Sequence, residues 1–487
     1  MSSTTADQAT ASQKPLETRL FINGKFQSAT DGKTFKLINP YTREPIADIH
    51  EANEQDVDKA VAAAKAAFPA WRDLTPDARG VYLRKLSNLI RENTPELARL
   101  ESISMGKPVS IFFDAALAAD NFGYFAETGW QAQGTSSVNT PGHLNLSLKQ
   151  PYGVVGAIIP WNVPLMIFAF KTAPALAAGN TVVLKSSEKA PLTSAFMAKL
   201  ITEAGFPPGV INILSGLGTP AGSALASHMD VRCLSFTGSS ATGRKIQIAA
   251  AKSNMKVVHM ELGGKSPAII FEDADIEKAA EKTQFSIQIG SGQTCVANSR
   301  IYVQESVADK FLAVFKEKFG AARIGNPLDP TTTHGPQADN IQYERVKSYL
   351  EIGEKEAKLT MGGDAGNGFI KPTVFENVPE DSRLMKEEVF GPVVAINTFK
   401  TEEEAIERAN SSEFGLYASV FTKDIDRAVR LSKLLEAGTV GVNCTSPTIV
   451  KDMPFGGYKQ SGIGREGILE GLDNFLQTKA VLISTSS

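Results

Sequence analysis

The chain reads as an α/β protein of two doubly wound units with a small β arm, and three observations predict it. From Tyr152 onward short, near-continuously apolar runs alternate with helical stretches, which describes a parallel sheet with helices on both faces. A second alternating set starts near Lys265, and two strand-like segments, HLNLSLKQ and TKAVLIST, belong to neither set. At 487 residues the chain is also too long for one ordinary core.

Taken in order, the leader MSSTTADQATASQKP has neither an apolar core nor an arginine and reads as a disordered, cytosolic extension over residues 1–15. DVDKAVAAAKAAFPAW and ARGVYLRKLSNLIREN repeat apolar residues at three- and four-residue spacing, as amphipathic helices do. GVVGAIIP, NTVVLKSSE and GVINILSG are the first strands, with FAFKTAPALAAG and TSAFMAKLITEAG as helices between them. KSPAIIFEDA, RIYVQESVADKFLAVFKEKFG, FGPVVAINTF and TVGVN make the second set. HLNLSLKQ alternates with period two, so it is an exposed strand in need of a partner, and TKAVLIST is a second strand of that kind. Because a bare edge invites aggregation, the two suggest an oligomer-forming flap. The expected division is 16–132 with 152–261 as the first unit, 262–460 as the second, and 133–151 with 461–487 as the arm.

Composition excludes several classes of function. Hydrophobic residues make up 42% and charged residues 21%, with a formal net charge of −3 spread along the chain, so neither a nucleic acid nor a membrane surface is an expected partner. No apolar run approaches the roughly 18 residues of a membrane helix. Three cysteines, Cys233, Cys295 and Cys444, are too few for a disulfide framework and suit a reducing, cytoplasmic compartment. The five histidines, His50, His143, His228, His259 and His334, form no ligand-spaced cluster with a cysteine, so no metal is expected.

Three stretches could hold a phosphate or a nucleoside. VINILSGLGTPAGSALASH runs a strand into Gly216, Gly218 and Gly222 and then a helix, with spacing GxGxxxG; a tight strand-to-helix turn explains those glycines equally well. CLSFTGSSATGRKIQ runs a strand into Gly238 and Ser239 and then a helix from near Ala241. Free N–H groups at that helix start, helped by the serine hydroxyl, could hold a pyrophosphate. VVLKSSE ends a buried strand in Lys185 and, three residues on, Glu188. At the carboxyl end of a strand these face a ligand crevice, where a carboxylate accepts two ribose hydroxyls and repels a 2′-phosphate. That favours NAD over NADP; a surface ion pair is the alternative.

GSGQTCVANSR surrounds Cys295 with glycines and small polar residues. A thiol of pKa about 8.5 needs help to attack a carbonyl at neutral pH. In HMELGGKSP, Glu261 stands against two glycines at a strand-to-loop junction, where an apolar setting raises a carboxyl's pKa toward general-base work; a capping glutamate is the alternative. In IIPWNVPLM, Asn162 lies between Pro160 and Pro164, so its amide is a preorganised donor that could stabilise an oxyanion with the Cys295 backbone N–H. A rigid turn with a capping asparagine fits the same residues.

PWNVP, KSSE, FTGS, MELGGKSP, GQTC, EEVFGPV and PFGGYKQSGIGRE occur in the order and approximate spacing of the aldehyde dehydrogenase superfamily, which the chain resembles from about Leu20 to its C-terminus. The resemblance implies a cofactor domain, a catalytic domain and an oligomerisation arm, with a homodimer or homotetramer as the assembly. It makes Cys295 the nucleophile, Glu261 the general base, Asn162 the oxyanion donor, and Lys171 with Glu466 a pair that relays protons. Lys185 and Glu188 would hold a ribose, Gly238 and Ser239 the pyrophosphate, and Gly218 the adenosine side. Glu388 and Phe390 would hold the nicotinamide-side ribose, and Ile158, Trp161 and Gly243 would complete the NAD site, with NADP less favoured.

The implied activity is oxidation of an aldehyde to its acid through a cysteine thiohemiacetal and thioester. Val163 stands where many relatives carry an aromatic residue, which widens the funnel that Phe170 and Phe455 still wall, so a bulky or aromatic aldehyde is expected to be able to enter. Ser186 replaces a frequent proline. Two rivals remain: a CoA-acylating semialdehyde dehydrogenase, which Glu261 argues against, and an inactive binding protein on the same fold, which the joint presence of Cys295, Glu261 and Asn162 argues against.

Overall fold

The computed structural model describes residues 15–448, 450, 452–467 and 470–485; the expected leader, save Pro15, lies outside them. An eight-stranded sheet carries the first alternating set. Its centre is five parallel strands in the order Ile211–Leu214, Thr181–Lys185, Val154–Ile158, Val231–Thr237 and Val257–Glu261. The chain order reverses between Val154–Ile158 and Val231–Thr237, which opens a crevice at their carboxyl ends. Successive residues of a strand face opposite ways. Val155, Ala157 and Cys233 therefore enter the core under the Pro164–Ala177 helix, while Val154, Leu234 and Phe236 enter a second core on the other face.

The antiparallel edges of this sheet are additions to the expected parallel set. Leu20–Ile22 and Lys25–Gln27 form a hairpin at one edge, and Gly462–Ile463 pairs with Val257–Glu261 at the other. The hairpin turns on Asn23 and Gly24 with φ of 53° and 75°, so an Asn-Gly signal is present in the sequence; strands of three residues are too short for periodicity to reveal.

A seven-stranded sheet carries the second set, in the order Lys358–Met361, Thr373–Glu376, Val393–Phe399, Arg300–Gln304, Pro267–Ile270, Tyr417–Phe421 and Thr439–Val442. All but the first pairing are parallel. Ile269 and Tyr302 face one apolar core and Ile270 and Val303 the other, so this unit too is covered on both faces. The two orphan strands find each other: His143–Pro151 and Leu476–Ser484 pair antiparallel over nine residues, with Ser136–Ser137 alongside. Among the described residues no helix is long and apolar enough to cross a membrane.

Candidate active site

Cys295 follows a turn that few sequences could make. Gly290, Ser291 and Gly292 all take positive φ, 60°, 56° and 75°. A side chain on Gly292 would overlap the backbone of Gly391, so glycine is required there on two counts. Ser291 tolerates the strained conformation because its hydroxyl donates to Gly335 O and accepts from Gly335 N–H, each at 2.9 Å. The turn delivers Cys295 into a cavity that Asn162, Glu261, Gly238, Glu388 and Phe390 also line. The two glycines after Glu261 explain how the wall closes. A side chain on Gly264 would overlap Cys295 O, and one on Gly263 would overlap the Glu388 carboxylate.

Glu261 ends the Val257–Glu261 strand and is 2% exposed. Burial, and then the charge of Glu466, push its carboxyl up to about 7, in the range where a carboxylate serves as a base at neutral pH. The Cys295 thiol is pushed well above its ordinary value, first by burial and then by the facing Glu261 charge. The Cys295 thiol and the Glu261 carboxylate thus lie within reach of each other's charge. Asn162 is buried, and its Nδ2 donates to Gln293 O at 3.0 Å, which fixes the amide plane and leaves a second N–H for another acceptor. Behind Glu261, the fully buried Lys171 forms an ion pair with Glu466.

The residues expected to hold a dinucleotide fall into two groups. Trp161, Gly238, Ser239, Glu388 and Phe390 line the main cavity; Ile158, Lys185, Glu188, Gly218 and Gly243 lie outside it. Lys185 ends its strand with its stem against Gly222, so the lysine and the Gly218–Gly222 turn are neighbours. Burial lowers its pKa to about 8 against the raising charge of Glu188. Ser239 caps the Ser240–Lys252 helix by accepting from Thr242 N–H at 3.3 Å, so its hydroxyl is engaged in the cap and the exposed helix start offers backbone N–H groups. An exposed helix start and, two strands away at the same carboxyl edge, a lysine and a glutamate are a fit for a dinucleotide's phosphates and ribose. Gly243 faces inward, against Leu262 and Met260, so it sets the close approach of helix to sheet.

Glu388 accepts Gly264 N–H at 2.9 Å, and burial raises it to about 7. Phe390 has a positive φ of 58° and packs edge-on to Trp161 at 5.3 Å; Gln342 Nε2 holds its carbonyl at 2.7 Å. On the other side Val163, Phe170 and Phe455 line the cavity, and Phe170 and Phe455 also border a second cavity with Leu117, Tyr124 and Met453.

Several residues that position the site carry no readable signal in the sequence. Gln293 takes the Asn162 amide on its carbonyl and accepts Ala338 N–H on Oε1 at 2.9 Å. Lys107, which borders the cavity, is buried and donates to Glu101 at 2.7 Å and Asp114 at 2.8 Å. Glu101 in turn accepts Leu165 N–H at 3.2 Å, at the start of the helix that follows Asn162. That contact matters because Val163 offers no side-chain cap there.

Residues 26–481 match the model of the aldehyde dehydrogenase family. An aldehyde dehydrogenase of Davidiella tassiana is 49% identical, covering 96% of this chain and 95% of that one. Human retinal dehydrogenase 2 is 44% identical over 96% and 92%. Among solved structures, a mutant indole-3-acetaldehyde dehydrogenase of P. syringae in complex with NAD+ and IAA is 39% identical with a TM-score of 0.94, covering 97% of each chain. A gamma-glutamyl-gamma-aminobutyraldehyde dehydrogenase of Burkholderia cenocepacia is 41% identical with a TM-score of 0.95, over 97% and 98%.

Proposed function

This chain belongs to the aldehyde dehydrogenase family and oxidises aldehydes with NAD(P), and from that premise we propose that Cys295, Asn162 and Glu261 carry the reaction to a carboxylic acid. The observation that supports this best is one buried chamber in which a thiol faces a carboxylate of raised pKa beside a fixed amide. Glu261 accepts the Cys295 proton as sulfur attacks the aldehyde carbon. The Asn162 N–H not used by Gln293 receives the oxyanion, where a donor in a dry site lowers the barrier by several kcal/mol, about 3–4. NAD, when bound, supplies the hydride acceptor that turns the sulfur adduct into a thioester. Once Glu261 has lost that first proton to solvent, it draws a proton from water as the water oxygen attacks the thioester carbon; the carbon–sulfur bond then breaks, releasing the acid and leaving Cys295 as the thiolate for the next aldehyde.

Lys185, Glu188 and the start of the Ser240–Lys252 helix would hold the cofactor's ribose and phosphates, and Glu388 with Phe390 its other ribose. Glu188 underlies a preference for NAD over NADP. The segment 16–132 cannot be separated from 152–261 in this scheme, since both cover one sheet; together they form the cofactor domain, with 262–460 catalytic. Leu476–Ser484 is the outer strand of its three-stranded sheet, a place that suits pairing with a second copy, as a homodimer or homotetramer. Three free cysteines accord with a reducing cytoplasm.

Val163 beside Asn162, and the apolar second cavity beyond Phe170 and Phe455, support a bulky or aromatic aldehyde as substrate. A strong preference for acetaldehyde over an aromatic aldehyde in kcat/KM would overturn that choice. Cys295→Ser tests the chemistry itself: NADH formation is abolished and NAD binding is retained, and persistent oxidation refutes the assignment. Acid release that CoA leaves unchanged separates hydrolysis from acyl transfer to a thiol.

A further inference from the structure

Cys295 belongs to neither a helix nor a strand: it lies in a turn between the Ile276–Gln288 helix and the Arg300–Gln304 strand. Ala297 N–H closes that turn on Thr294 O at 3.2 Å. A buried segment outside the regular ladders finds its remaining hydrogen bonds among side chains. Here Val296 O accepts from Ser446 Oγ at 2.6 Å, and Asn298 N–H donates to Ser286 Oγ at 3.0 Å. Ser286 and Ser446, 0% and 2% exposed, are bonded to each other.

A serine hydroxyl has one proton to give. That of Ser446 goes to Val296 O, so Ser286 donates to Ser446 and accepts from Asn298. One order of protons therefore runs from the Asn298 N–H through two hydroxyls to the Val296 carbonyl. A second chain lies beside it, in which Ser419 Oγ donates to Thr445 Oγ1 and Thr445 Oγ1 to Asn298 Oδ1, all three residues being buried. The anchors are firm elements: Ser286 is in the Ile276–Gln288 helix, Ser419 is on the Tyr417–Phe421 strand, and Thr445 and Ser446 follow the Thr439–Val442 strand.

The peptide joining Val296 to Ala297 is thus held at both ends. Its N–H closes the turn over Cys295, and its carbonyl is pinned by Ser446. Without that hydroxyl the carbonyl is buried and unpartnered, a state the peptide escapes by rotating and so giving up the turn bond. We propose that Ser446, backed by Ser286, is a positioning residue for Cys295, aiming its sulfur and its N–H at one aldehyde carbonyl. The proposal rests on Cys295 being the nucleophile. Ser446 itself stands behind the cavity wall and acts only through the Val296–Ala297 peptide.

Two reactions of the same sulfur test this in Ser446→Ala, Ser446→Thr and Ser286→Ala. Oxidation needs sulfur and oxyanion donors to converge on one carbonyl, whereas alkylation by iodoacetamide needs the sulfur alone. In Ser446→Ala, first-turnover NADH formation at saturating aldehyde should fall roughly ten- to a hundredfold, with the KM for NAD within about twofold of wild type. Alkylation of Cys295, followed by mass spectrometry of its peptide, should stay within about threefold of wild type. Ser446→Thr keeps the hydroxyl and should recover most of the lost rate. Ser286→Ala should slow oxidation less, about threefold, because Ser446 keeps its bond to Val296 O. Wild-type first-turnover oxidation in Ser446→Ala, alkylation falling in proportion to oxidation, or a folded Ser446→Thr no faster than the alanine variant overturns the positioning role. If Ser446→Ala does not fold, Ser286→Ala decides by the same two reactions. Oxidation that persists in Cys295→Ser overturns instead the reading of the nucleophile.

Discussion

Lys107→Met tests the support beneath the oxyanion donor. Lys107, Glu101 and Asp114 are 6%, 0% and 0% exposed, and the ammonium donates to both carboxylates at 2.7 and 2.8 Å. Burial, chiefly, pushes Glu101 up to about 8, against the lowering charge of Lys107, so Glu101 is the carboxyl that keeps a proton at neutral pH. Methionine fills the lysine's volume but leaves Asp114 buried with one oxygen already unpartnered. Removing one partner of a buried pair costs about 3–5 kcal/mol, far above the 0–1 kcal/mol, roughly, of a surface pair. Glu101→Gln keeps the contact to Leu165 N–H and mimics the protonated acid. A carboxyl whose folded pKa is raised gives stability fully present below its unfolded pKa of about 4.5. That stability is lost as pH rises through the folded value, so the glutamine variant should gain on wild type as pH increases from 6 to 9. Urea or thermal denaturation of the two variants across that range provides the measurement. A loss below about 1 kcal/mol in Lys107→Met, or a difference between Glu101→Gln and wild type that does not change with pH, refutes the reasoning.

Asn162→Ala removes the oxyanion donor and should lower kcat about a hundred- to a thousandfold, while the lost bond to Gln293 O costs only about 1 kcal/mol of stability; single-turnover NADH formation within threefold of wild type would contradict this. With Glu261 raised to about 7, its basic form grows with pH through that value. Steady-state kcat should accordingly rise about tenfold per pH unit below 7 and level off above. In Glu261→Gln that limb should vanish, and NADH should stop after one equivalent per site; a wild-type profile flat from pH 5.5 to 7.5 counts against Glu261 as base.

The residues proposed to perform chemistry are legible because each is an odd choice for its surroundings. A cysteine among glycines, a glutamate before two glycines and an asparagine between prolines each raise a question that a surface or core role answers poorly. The strand and helix sets are legible for a related reason: periodicity records which face is buried, and both sheets are buried on both faces. Three-residue edge strands carry no period, and the N-terminal hairpin escapes such a reading although its Asn-Gly turn is in plain sight.

What positions the chemistry is not legible, and the reason is physical. In ESISMGKPVSIFFDAA, Glu101, Lys107 and Asp114 have the spacing of an ordinary solvated face, and only the arrival of the Pro164–Ala177 helix turns them into a buried cluster that holds Leu165. Gln293 acts through its main-chain carbonyl, which every residue possesses. Ser239 has the look of a phosphate ligand, but the helix it begins takes its hydroxyl first. A side chain's chemistry is local and can be read in sequence, whereas its protonation and placement depend on neighbours that only the fold supplies.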